Sequence, residues 1–157
     1  MQKEVLIAGA GVIGCLLGKS LKKKNISFKI LEKNPQPFKN PSRTVALTSD
    51  SIRFLNTVDS KLDLNAWATP VNSMNLFQDA AQALSLDSDQ EKISSICALD
   101  DLHEKLLNDL NDDISWDTAI NSMNNDKLIE VSTSNGNYSG QIIIASDGTS
   151  SKIRELS

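Results

Sequence analysis

The chain has 157 residues, 39% hydrophobic and 23% charged, enough for one domain with a sizeable core. A net charge of -4, with no lysine- and arginine-rich stripe interleaved with aromatics, argues against nucleic acid as a partner. Cys15 and Cys97 lack metal-ligand spacing and read as reduced, buried residues of a cytoplasmic protein.

Residues 3–8 form a short apolar run stopped by glycine, the pattern of a buried strand. Residues 12–24 read as a helix with Leu16, Leu17 and Leu21 on its inner face. Lys22, Lys23 and Lys24 suit its solvated C-terminal end, where cations complement the dipole. Residues 27–32 return as a strand, completing a βαβ unit with a parallel pair and a right-handed crossover. The apolar run 5–18 is too short and too glycine-rich to span a bilayer. Its Val12-Ile13-Gly14-Cys15 imitates a lipoprotein processing site, but Lys3 is cancelled by Glu4 and glycines interrupt the apolar stretch, which disfavours a secretion signal.

Residues 34–42 carry Pro35, Pro37 and Pro41 and read as a loop. Residues 47–58 look helical, with Thr48 or Ser49 as the cap. Strand-like pieces follow at 73–77 and 83–86, then an amphipathic helix over 100–110 carrying Leu102, Leu106, Leu107 and Leu110. A strand is expected within 114–122. Residues 127–133 alternate, Asn135-Gly136 marks a hairpin, and 137–145 returns as strand. The expected class is α/β: a Rossmann-like fold with a parallel sheet and an antiparallel β-meander.

Gly9, Gly11 and Gly14 stand in GxGxxG spacing, directly after the first strand and before the first helix. Gly9 allows the tight turn, Gly11 lets a pyrophosphate approach the backbone, and Gly14 lets helix and strand pack closely. The N–H groups at this helix start, those of Val12 and Ile13 among them, and the helix dipole favour phosphate charge. Gly18 keeps the same helix face thin. Glu32 ends the second strand and is followed by Lys33. The Glu32 carboxylate can accept hydrogen bonds from ribose hydroxyls and repels a 2′-phosphate, which disfavours NADP. The constellation predicts a site for the ADP half of a dinucleotide but does not choose between FAD and NAD. The bland alternative is that the glycines only permit a tight crossing and Glu32 is a solvated strand end.

Two later segments bear on that choice: residues 42–47, Ser-Arg-Thr-Val-Ala-Leu, and residues 145–154, Ala-Ser-Asp-Gly-Thr-Ser-Ser-Lys-Ile-Arg. With the glycine turn, their order resembles the FAD-dependent aromatic hydroxylases with the para-hydroxybenzoate hydroxylase fold. Within these it looks closest to the ubiquinone-biosynthesis hydroxylases of the octaprenyl-methoxyphenol type, and the resemblance runs from Val5 to Arg154. It implies that Arg43 is the flavin-contacting arginine, whose guanidinium offers several donors at once. It also implies that Asp147-Gly148 is the motif touching both the cofactor and the reductant's approach path. Alternatively, Arg43 is a solvated loop residue, and Asp147 or Ser150 caps a short helix that Gly148 permits; capping is compatible with a ligand role. Two positions depart from the family pattern. Pro41 stands where an acid is common, and Ala98, followed by Leu99, stands where relatives carry a polar side chain that reaches the cofactor. His103 reads as a surface residue rather than a catalyst. No nucleophile–His–acid set can be assembled, so no catalytic residue is assigned.

The resemblance implies FAD as cofactor, NAD(P)H as reductant and O2-dependent hydroxylation of a phenolic ring. Family members are more than twice this length and continue into a substrate-binding sheet and a later Gly-Asp motif. Residues 1–157 are therefore expected to be the N-terminal part of the FAD-binding domain, incomplete as an enzyme alone. A non-catalytic module holding FAD or NAD is the alternative. A dehydrogenase-like NAD protein is disfavoured, since Arg43 and Asp147-Gly148 would be coincidental in it. Expected partners besides FAD are a second polypeptide supplying the missing half, or a ubiquinone-biosynthesis complex. The expected location is cytoplasmic, peripheral to the inner membrane. An exposed apolar seam is expected where the substrate domain packs, and it could drive self-association.

Overall fold

The computed structural model of the chain describes residues 1–35, 43–79, 81–87 and 92–157. They fall into two compact units, Met1–Lys39 with His103–Ser157, and Asn40–Leu102. Most of the loop expected over 34–42, including Pro37 and Pro41, lies outside the described residues.

The first unit is built on β1 (Gln2–Ala8), whose Val5, Leu6, Ile7 and Ala8 are all buried. Four consecutive buried residues on a strand mean that both faces are covered, as a central parallel strand requires. On one side β1 pairs in parallel with β2 (Phe28–Leu31), joined through α1 (Val12–Lys23). Gly18 sets the distance of this helix. A Cβ there would come within 3.0 and 3.1 Å of the Ile30 and Phe28 side chains.

On its other side β1 pairs in parallel with β11 (Gly136–Ala145), and β2 pairs in parallel with the two-residue strand β8 (Ile114–Ser115). β10 (Ile129–Thr133) and β9 (Ile120–Asn125) then extend the sheet as an antiparallel meander, giving the order β8-β2-β1-β11-β10-β9. Leu6, Leu31 and Val131 centre one core, with Ile120, Met123, Ile129, Tyr138 and Ile143 packed against them. This is the expected α/β, Rossmann-like arrangement of parallel sheet and meander.

The single strand expected within 114–122 is two strands in different parts of the sheet. Asp117 adopts a left-handed conformation (φ 50) and its N–H bonds the Asn34 carbonyl, while the Thr118 N–H bonds the Glu32 carbonyl. These bonds divert the chain from β8 before it enters the meander.

In the second unit, β3 (Thr44–Thr48) runs into α2 (Ser49–Val58). The Thr48 hydroxyl accepts from the Ser51 N–H at 3.2 Å, so Thr48 caps the helix and Leu47 belongs to the strand before it. β4 (Thr69–Val71) and β7 (Ser94–Ala98) complete a three-stranded sheet of order β3-β7-β4. Neither strand is legible in the sequence, because both are short and neither alternates cleanly. β5 (Ser73–Gln78) and β6 (Ala81–Asp87) form a separate hairpin where two strand-like pieces are expected. α3 (Leu99–Leu107) follows β7 directly. Among the described residues, no helix is long and apolar enough to cross a membrane, and no three His, Cys, Asp or Glu side chains are placed to hold a metal ion.

Candidate dinucleotide site

A cleft of about 270 Å³ opens beyond the carboxyl ends of β1, β2 and β11, where open α/β sheets bind their ligands. It brings together Gly9, Gly11, Glu32, Lys33, Asp147 and Gly148 from three separated stretches of the first unit. Val12, Ile13 and Gly14 form the first turn of α1 beside it.

The three motif glycines answer to different constraints. Gly9 has φ 96, and a Cβ there would lie 2.6 Å from the Ser146 carbonyl oxygen, so both conformation and space demand glycine. At Gly14 a Cβ would fall 2.0 Å from the Gly9 carbonyl oxygen. The close approach it permits is thus to the turn itself, rather than to the strand as the spacing suggests. Gly11 differs from both: its φ of -68 is open to any residue, and a Cβ there meets nothing within 4 Å. Folding makes no demand for glycine at that position. The helix that Gly11 precedes carries no side-chain cap and no acid in its first turn.

Glu32 reaches back to the turn. Its Oε2 accepts from the Ala10 N–H at 2.7 Å, and its Oε1 accepts from the Asn34 N–H at 3.0 Å and Asn34 Nδ2 at 2.6 Å. A carboxylate has about four lone-pair directions, so these three donors leave room for roughly one more. Sequence reasoning passed over Asn34; an asparagine two residues beyond an acid in a turn was the available signal.

Asp147 is divided between two tasks. Its Oδ2 accepts from the N–H groups of Lys152 (2.6 Å) and Ile153 (3.4 Å), at the start of the short helix α4 (Lys152–Leu156). Ser151, rather than Ser150, is the N-cap residue, its hydroxyl accepting from the Arg154 N–H. Asp147 Oδ1 is buried and has no hydrogen-bond partner among the described residues. Burial pushes the Asp147 carboxyl up. Hydrogen bonds from Ser151 and from the backbone of Lys152 and Ile153 outweigh that and hold it below the ordinary range. Gly148 takes φ 85, which glycine adopts without strain. Ser146, unremarked in the sequence, donates to the Ala8 and Gly9 carbonyls at 2.7 and 3.0 Å and ties the end of β11 to the turn.

His103 is not the plain surface residue its sequence position suggests. It is half-buried, and its Nε2 lies 2.6 Å from the Ala10 carbonyl oxygen and 3.7 Å from Cys15 Sγ. The Cys15 thiol donates to the same oxygen at 3.1 Å, and burial pushes its pKa up to about 12. Arg43 belongs to the second unit. It is exposed just before β3, and its carbonyl accepts from the Leu99 N–H at 3.0 Å. Because Thr44 pairs with Ala98, the arginine segment and the position that departs from the family pattern are neighbours on one sheet.

No curated protein matches the chain. Among solved structures, 2,6-dihydroxypyridine-3-hydroxylase from Arthrobacter nicotinovorans superposes with a TM-score of 0.80 at 16% identity, over 99% of this chain and 39% of that one. A variant of PqsL from P. aeruginosa superposes with a TM-score of 0.85 at 17% identity, over 99% of this chain and 45% of that one. These likenesses establish the fold, and the chain spans about two fifths of the length of such structures. The model of the FAD binding domain matches residues 2–156, and the chain belongs to that family.

Proposed function

We infer that the first unit holds the ADP half of FAD along the glycine turn, and that the chain is the FAD-binding portion of a flavin-dependent monooxygenase resembling the ubiquinone-biosynthesis hydroxylases. The observation that carries the reading is Gly11. The tight-crossing explanation accounts for Gly9 and Gly14, which the fold requires, but not for a glycine whose Cβ would touch nothing. A bare backbone beside an uncapped helix start is what an approaching pyrophosphate needs.

The other residues fit the same ligand. Glu32 has capacity for one ribose hydroxyl beyond its present donors, and its charge disfavours a 2′-phosphate. The unpartnered, buried Asp147 Oδ1 is an acceptor awaiting a donor at the edge of the same cleft. Val12 and Ile13 contribute N–H groups, and Lys33 and Gly148 flank the opening. Arg43 is assigned to the flavin end on the family pattern. Bound flavin supplies the redox and oxygen chemistry; the protein positions it and excludes water. In this reading residues 1–157 are the N-terminal part of the FAD-binding domain. NAD(P)H is the reductant, and the substrate is a phenolic ring. The expected setting is cytoplasmic, peripheral to the inner membrane.

The test is titration of the purified chain with FAD, followed by NADH and then NADPH. Saturable quenching of flavin fluorescence by the protein is expected, with NADH binding more weakly than FAD. Tighter binding of NADH would favour a dehydrogenase-like module, and a chain with no uptake of FAD would overturn the reading. Bleaching of the bound flavin on anaerobic addition of NAD(P)H then separates a reducible site from a binding module.

A further inference from the structure

We propose that Cys15 and His103 are positioning residues that aim the Gly11 N–H into the cleft by holding the Ala10 carbonyl on the opposite side. The inference rests on the FAD reading and adds to it two residues that no part of the glycine motif contains. In a planar trans peptide the C=O of one residue and the N–H of the next point in opposite directions, and no peptide bond among the described residues is cis. Whatever fixes the Ala10 oxygen therefore fixes the direction of the Gly11 N–H.

Two donors fix it. The Ala10 oxygen accepts from the Cys15 thiol at 3.1 Å and from His103 Nε2 at 2.6 Å, which together match the two lone pairs of a carbonyl. Since a carbonyl only accepts, the hydrogen of the imidazole resides on Nε2. Ala10 and Cys15 are buried, whereas Gly11 is exposed and lines the cleft. The Gly11 N–H takes no partner from the described residues. On the other side of Ala10, its own N–H is held by Glu32 Oε2. The peptide units on both sides of Ala10 are thus anchored, one by Glu32 and one by the Cys15–His103 pair.

The anchor answers a weakness of the glycine itself. Rotating the Ala10–Gly11 peptide by half a turn would carry Gly11 φ from -68 to the positive side, which glycine accepts. The rotated peptide would present a carbonyl oxygen to the pyrophosphate instead of an N–H, which is repulsive. Openness to a phosphate and resistance to flipping are in conflict at a glycine. The thiol and the imidazole supply the resistance from behind. The thiol remains a donor throughout the neutral range, with its pKa pushed up to about 12.

The experiment compares binding of ADP and of adenosine to the full chain and its His103→Phe and Cys15→Ala variants, by calorimetry. The Gly11 amide is followed by nitrogen–proton NMR without ligand. Loss of one donor is expected to weaken ADP about tenfold, the size of one hydrogen bond, with adenosine unchanged. The Gly11 resonance should shift or broaden in both variants. His103→Gln and Cys15→Ser, which retain a donor, should restore both signals. Equal loss of ADP and adenosine, an unmoved Gly11 resonance, or absence of rescue by the donor-retaining variants would overturn the proposal. If the wild-type chain takes up no ADP, the FAD reading falls and this inference with it. If the wild type binds ADP and His103→Phe binds it equally, only the inference falls.

Discussion

The β1–α1–β2 region of the first unit and the β5–β6 hairpin of the second use strands in opposite ways. In β1, successive residues from Val5 to Ala8 are buried, so neighbours cover the strand on both faces. In the hairpin every described residue is exposed. Its sides nonetheless differ. Met74 pairs with Leu86 and Leu76 with Leu84 on one face, while on the other Asn75 accepts from Gln82 Nε2 and the Ser85 hydroxyl. The large apolar side chains of Met74, Leu76, Leu84 and Leu86 are thus gathered on one face of the hairpin and exposed. Among the described residues of the first unit, the one buried side-chain polar atom without a partner, Asp147 Oδ1, belongs to a residue that lines the cleft. The hairpin pairs its two strands only with each other and leaves its apolar face open.

That contrast predicts where substitutions cost stability and where they cost only binding. The largest effect is expected at Gly14→Ala, which drives a methyl into the Gly9 carbonyl. Overpacking against backbone should lower the unfolding free energy by about 3 kcal/mol or more, read by urea titration. Gly11→Ala is its counterpart. Unfolding should move by less than about 0.5 kcal/mol while FAD affinity falls, because the methyl meets only ligand space. Equal destabilisation by the two changes would erase the distinction between folding and binding glycines.

Glu32→Ala comes next. It removes the strut to Ala10 and Asn34 as well as the ribose acceptor, and adenosine affinity should fall by roughly 1–3 kcal/mol. Unaltered affinity would refute the placement of the ribose.

Asp147 gives a smaller effect that depends on pH. Its folded carboxyl titrates below the ordinary aspartate value near 3.9, so it stabilises the fold fully above that value. As pH falls toward the depressed folded value, the unfolded chain takes up a proton first and this stabilisation is lost. Asp147→Asn should therefore flatten the acid limb of a stability-versus-pH curve while leaving its shape near neutrality. An unchanged acid limb would assign the effect to other groups. The smallest change in stability is expected for the pair Leu76→Ser and Leu84→Ser, within about 0.5 kcal/mol because both side chains are exposed. If the open face is a contact surface, light scattering at high concentration should show less association for this pair than for wild type.

Much of the first unit was legible because its signals are local. The apolar run before Gly9, the leucine spacing of α1 and the hairpin signal at Asn135-Gly136 each specify a conformation within a few residues. The described elements follow them to within a residue, the hairpin turning on Ser134 and Asn135 with Gly136 opening β11. The cap at Thr48 was legible for the same reason. β4 and β7 were not, since three to five residues without alternation form strands only where a partner offers its edge. The split of the 114–122 segment was equally hidden, because backbone groups of Glu32 and Asn34, far away in sequence, decide it.

The sequence by itself determined that a glycine turn stands between a buried strand and a helix, with an acid closing the second strand. Spacing and hydrophobic period are properties of neighbouring residues, and they survive without knowledge of the rest of the chain. Only the tertiary structure decided which glycine the fold needs and which it leaves open. It also decided that Glu32 braces the turn, and that His103, on a helix 93 residues away, shares the Ala10 carbonyl with Cys15. Those outcomes depend on which atoms meet when separated segments pack, and no local pattern carries that information.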